Sequence, residues 1–127
     1  MEIELALLAL PYKILSSFVF FDRELDAWNF ARDARYSSAL SIEYFDKNAI
    51  NLLRKKSSNI PAGAESAIFF EEDLAKEDED RAIDKWSGMI SKHNASLEKT
   101  WVAMTDDEAQ NFNRLRHYIP ESVNEIV

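Results

Sequence analysis

The sequence predicts an all-α fold, a compact single-domain bundle of five to seven helices over residues 1–127, on three observations. Apolar residues recur three or four apart over nearly the whole chain, the spacing that lines one side of a helix. Glycine is scarce: Gly63 and Gly88 are the two present, where average usage of about 7% would supply roughly nine. Hairpin turns consume glycine because they need positive φ, so two glycines cannot furnish a multi-strand meander. An apolar fraction of 46% and an aromatic fraction of 12% then supply a packed core for one domain at 127 residues.

The first stripe is Ile3, Leu7, Leu10, Ile14, Phe18, Phe21, Leu25 and Trp28. Pro11 breaks it, because proline lacks the N–H and disfavours helix in the residue before it. A short helix to Leu10 and a second from Pro11 follow, with a strand at Glu2-Ile3-Glu4-Leu5 as the alternative. This segment is not a secretory signal by its pattern: Glu2 and Glu4 stand where a basic region belongs. Pro11 and Lys13 also interrupt it well before bilayer length. It reads as a buried element of a cytoplasmic protein, so Asn94-Ala95-Ser96 carries no weight as a glycosylation acceptor.

Asp22 is placed to cap the next helix, with Glu24 and Asp26 in its first turn, where the dipole favours acids. Its stripe is Leu25, Trp28, Ala31, Tyr36, Ala39, Ile42, Phe45, Ala49 and Leu52, one helix or two divided at Ser37, Ser38 and Ser41. Glu43 and Lys47 stand at i,i+4 spacing, and Arg54-Lys55-Lys56 closes the last turn. A further helix from Ala64 to Lys76 points Ala67, Ile68, Phe70 and Leu74 inward. Glu77 to Arg81 has no apolar residue and is exposed. Ile83, Trp86, Ile90, His93, Leu97, Trp101 and Met104 then mark a long helix. Thr105 and Glu108 form a capping box, opening a helix that buries Ala109, Phe112, Leu115 and Ile119 and stops at Pro120. A turn from Glu121 to Val127 ends the chain.

Little chemistry is legible. With no cysteine, disulfides and thiolate metal sites are excluded. His93 and His117 are the only imidazoles; His93 lies on an apolar stripe and reads as core, while His117 sits near a helix C-terminus. Ser96-Leu97-Glu98-Lys99 matches S-x-x-K without its companion motifs and reads as helix surface. No phosphate-binding, dinucleotide or zinc motif occurs, and neither histidine has Glu three residues before it, as bundle di-iron sites require. No catalytic residue, cofactor or metal is therefore expected.

Charge is the one directional signal. Residues 1–60 balance, eight acids against eight Lys/Arg; residues 61–127 carry fifteen acids against seven, an excess equal to the whole net charge of −8. Seven of those acids crowd into one decade: Glu71, Glu72, Asp73, Glu77, Asp78, Glu79 and Asp80. No glycine lies between Gly63 and Gly88, so they do not form an EF-hand loop. Either they keep a helix end solvated, or they form a face for a basic partner. The second reading makes the chain a small protein-binding inhibitor of the immunity, antitoxin or anti-defence kind. Its partner would have a basic surface, as a nuclease or nucleic-acid-binding protein has, with neither direct nucleic-acid nor membrane contact. The alternative is a helical adaptor, chaperone or oligomerising regulator with an apolar groove; an uncharacterised helical enzyme ranks third.

Overall fold

A computed structural model describes residues 14–37, 39–73, 79–103 and 105–118. Strands and helices alternate along them: β1 (Ile14–Phe21), α1 (Glu24–Arg35), β2 (Ala39–Phe45), α2 (Lys47–Arg54), β3 (Ser66–Asp73), α3 (Glu79–Lys92), β4 (Trp101–Ala103) and α4 (Asp106–Tyr118). The strands form one antiparallel sheet in the order β2-β3-β1-β4. The all-α helical bundle expected from the sequence is thus corrected to an α/β fold. The connectivity is the split βαβ, or ferredoxin-like, order, with α2 inserted between β2 and β3 and α4 added after β4.

The physical reason for the correction lies in how the strands are buried. From Leu15 to Phe21 every residue is buried, and β3 is buried at all but Glu71 and Asp73. A strand covered on both faces is apolar nearly throughout, so residues three or four apart are apolar too and mimic a helix. The glycine argument excluded hairpin meanders, and there is none among the described residues. Each strand runs into a helix, and such connections need no positive φ.

Helices cover both faces. Val19, Phe21, Ile68, Phe70 and Tyr44 face α1 and α3, where Ala27, Phe30, Ala31, Ala34, Ala82, Trp86 and Ile90 complete one core. Phe18, Phe20, Phe45, Ala67 and Phe69 point the other way, onto Ala49, Ile50 and Leu53 of α2 and onto Phe112 and Leu115 of α4. Phe18 is the hub of this second core, within 6.3 Å of the rings of Phe20, Phe45, Phe69, Trp101 and Phe112.

Several local expectations also change. Arg23, not Asp22, occupies the N-cap of α1 and makes no side-chain cap bond. Asp46 caps α2 instead, accepting from the Ala49 N–H at 2.8 Å. Glu43 lies in β2 and pairs with Arg116 rather than Lys47, which reaches Glu65. The helix expected over Ala64–Lys76 is strand β3. The long helix through Met104 ends at Lys92, where Asn94 adopts φ 66°. There the Ala95 N–H donates to the Ile90 carbonyl and the Asn94 N–H to that of Ser91, the Schellman pattern. The capping box stands: the Glu108 N–H donates to Thr105 Oγ1, which donates to the Glu108 carboxylate. The expectations for residues 1–13, Leu74, Ile119, Pro120 and the C-terminal turn lie outside the described residues. Among those described, no helix is long and apolar enough to cross a membrane.

Candidate functional site

The acidic decade does not form one surface. Glu71 and Glu72 are adjacent in β3 and point to opposite faces of the sheet, as alternation requires. Glu72 is 0% exposed beneath α3; it accepts from Lys85 Nζ at 2.7 Å and from the Trp86 indole N–H. Glu71, on the other face, accepts from the hydroxyls of Ser41 at 2.9 Å and Ser16 at 3.3 Å. Asp73 is half-buried at the strand end, Glu79 opens α3, and Asp80 is exposed on it. Glu77 and Asp78 lie outside the described residues. Glu72 is therefore committed inward, where a buried charge keeps its place only with partners such as Lys85, and Glu71 is half-buried against two hydroxyls.

The inward turn of Glu72 organises a different feature. Its bond to the indole holds Trp86, which stacks on Phe70 at 3.9 Å. Trp86 and Phe70, with Leu15 and Ile90, form the floor of a groove of about 160 Å³ between α3 and the edge strand β4. Ile83 on α3, Leu97 in the following loop and Val102 on β4 line it too, and all three are exposed. Ser17 and Thr100 also line it, but their hydroxyls are spent internally, on the Trp101 and Ser96 carbonyls at 2.8 Å each. Ser87 on α3 brings a third hydroxyl to the lining, which is otherwise apolar. Exposed carboxylates stand beside its lining residues: Asp80 one turn before Ile83, Asp84 after Ile83 and Glu98 beside Leu97, with Arg81 and Lys99 as exposed cations of the same segments and Lys85 paired inward with Glu72. Asp106, Asp107 and Glu108 open α4 shortly after β4.

The candidate chemical residues do not converge. His93 is buried, as its stripe implied, with Nε2 2.6 Å from Asp33 Oδ2 and its ring edge-on to Phe30. That bond, foremost, and the charge of Lys92 hold the Asp33 carboxyl below its ordinary value, against the opposing effect of burial. The pair ties the end of α3 to α1. His117 is exposed on α4, across the sheet from His93. Ser96 and Lys99 lie in the loop after α3 rather than on a helix surface. The Tyr44 hydroxyl is pushed far above its usual range, by burial first and by the Glu24 carboxylate second. Among the described residues no three His, Asp or Glu side chains are grouped to hold a metal ion.

Sequence reasoning missed the groove because it read Leu97, Trp101 and Met104 as helix. Two signals could have found it. Asn94 is a residue type that ends helices in the left-handed conformation, and Trp101-Val102-Ala103 is a short β-prone run.

No known protein family matches this chain, and a search of curated proteins finds no relative.

Proposed function

We propose that this chain is a protein-binding module whose α3–β4 groove takes an apolar side chain carried on a cationic polypeptide. The carrying observation is the contiguity of Ile83, Leu97 and Val102, all exposed, around a floor of Leu15, Phe70, Trp86 and Ile90. Contiguous exposed apolar surface around a concavity is the usual mark of an interaction site. An apolar cavity of about 150 Å³ accepts a benzene-sized group, so one leucine or phenylalanine side chain suits the space.

The flanking carboxylates supply the charge preference. Asp80, Asp84 and Glu98 favour a basic segment and speed its encounter, which keeps a basic protein as the partner class. Direct nucleic-acid binding has no support: the net charge opposes it. The aromatic sheet face of Phe18, Phe69 and Trp101, which could have stacked bases, is covered by α4. Catalysis gains none either, since the two histidines stand on opposite sides of the sheet.

Fluorescence anisotropy with a labelled basic peptide bearing a single Phe tests the proposal. Val102→Asp is expected to weaken binding at least tenfold, a loss of about 1.4 kcal/mol. Joint replacement of Asp80→Asn, Asp84→Asn and Glu98→Gln should weaken it at low salt and matter little at high salt. Equal binding by wild type and Val102→Asp would remove the groove from consideration.

A further inference from the structure

A groove of this character calls for an apolar stripe with arginines beside it, and the chain carries one itself. On α1 the buried side is Ala27, Phe30, Ala31 and Ala34. The opposite side runs Leu25, Trp28, Arg32 and Tyr36, spaced three, four and four. A surface helix ordinarily presents polar residues there. Here Leu25 is 58% exposed, Trp28 48% and Tyr36 88%, and Trp28 rests one side of its ring on Tyr44 at 4.6 Å. Leu25 and Trp28 stand at the i, i+3 spacing of helix anchors that dock into grooves, and Tyr36 at the C-cap extends the same side beyond Arg32.

We infer that the groove of one copy takes the α1 stripe of a second copy, joining chains head to tail; this rests on the groove reading above. Three observations support this occupant. The stripe supplies large apolar anchors, a tryptophan and a tyrosine among them, the types that dominate interface energies. Arg32 and Arg35 are exposed with no ion-pair partner among the described residues, and they suit the exposed carboxylates Asp84 and Glu98, which stand next to Ile83 and Leu97 of the groove. Of the acids on α1, Asp33 is bonded to His93 and Glu24 acts on Tyr44. Finally, α1 lies over β2 and β3 while the groove opens at β4, the opposite edge of the sheet. A chain cannot fill its own groove with its own stripe, so the contact is heterologous and leaves one stripe and one groove free at the ends.

Sedimentation velocity on the whole chain tests this. Wild type is expected to form concentration-dependent species larger than a dimer. Leu25→Asp and Val102→Asp change exposed side chains; each should keep the wild-type circular dichroism spectrum and be monomeric. Mixed in equal amounts they should form a dimer and nothing larger, because the mixture restores one stripe and one groove. A wild type that stays monomeric at about 1 mM, where even a weak contact is half-occupied, overturns the inference. So does a self-associating wild type whose two variants fail to combine. If self-association fails while Val102-dependent binding of the basic peptide persists, this inference alone falls. If both fail, the groove reading falls with it.

Discussion

The two helical layers on either side of the sheet are built to different depths. α1 and α3 settle onto their face with fully buried residues: four from α1, and Ala82, Trp86 and Ile90 from α3. The alanines matter because small side chains bring a helix backbone close to the sheet. Beneath α3 the contact includes a buried carboxylate whose partners, Lys85 and Trp86, come from that same helix. On the other face α2 is well anchored through Ala49, Ile50 and Leu53, but α4 has no buried residue. It rests on the half-buried Phe112 and Leu115, and on Arg116, which pairs with Glu43 and lies 4.2 Å above the Phe69 ring. Apolar burial, not hydrogen bonding, separates the two layers, and burial is what sets local stability. The groove belongs to the better anchored layer, on a rigid floor.

The largest expected effect compares the aromatic anchor of each layer. Trp86→Ala should cost about 3–5 kcal/mol in denaturant unfolding, since it opens a cavity and strips Glu72 of a donor. Phe112→Ala should cost about 1–2 kcal/mol, because its ring is only half-buried. Equal costs would mean the layers are equivalent. Of intermediate size, Arg116→Ala should cost about 1 kcal/mol and act locally. Amide exchange in α4 should accelerate while that of α1 and α3 stays unchanged; uniform acceleration would mean that α4 and the core open as one unit.

The smallest effect concerns the tie between α1 and α3. The hydrogen bond from His93 holds the folded Asp33 carboxyl below the ordinary aspartate value of 3.8. Its bond to His93 therefore contributes stability above that pH, which is lost as pH falls through the lower folded value. Asp33→Asn should flatten the acid limb of the stability curve over that window and leave the groove-binding affinity at neutral pH unaltered. An unchanged acid limb would show that the bond is energetically silent.

Legibility in the sequence followed locality. The Thr105–Glu108 capping box, the acidic first turn of α1, the basic end of α2 and the core position of His93 were readable, because each depends on a few neighbouring residues. The strands were not. Phe18 and Phe21 are three apart in a strand buried on both faces, and Ile42 and Phe45 keep the same spacing in β2, so that nothing in the spacing says whether it belongs to a helix or a sheet. Glu71 and Glu72 illustrate the same limit for function. As neighbours in sequence they look like one acidic patch, yet strand alternation sends them to opposite sides of the molecule.

From its residues alone this chain had to be a globular, acid-rich protein with enough apolar surface for a core, without cysteine chemistry and without a glycine-dependent meander. Only the tertiary arrangement decided that the apolar runs pair as strands, that Glu72 is neutralised inside by Lys85, and that Ile83, Leu97 and Val102 meet around one hollow. The reason is that a strand's partners and a groove's walls lie far apart in sequence. Their contact energies exist only once the sheet has closed.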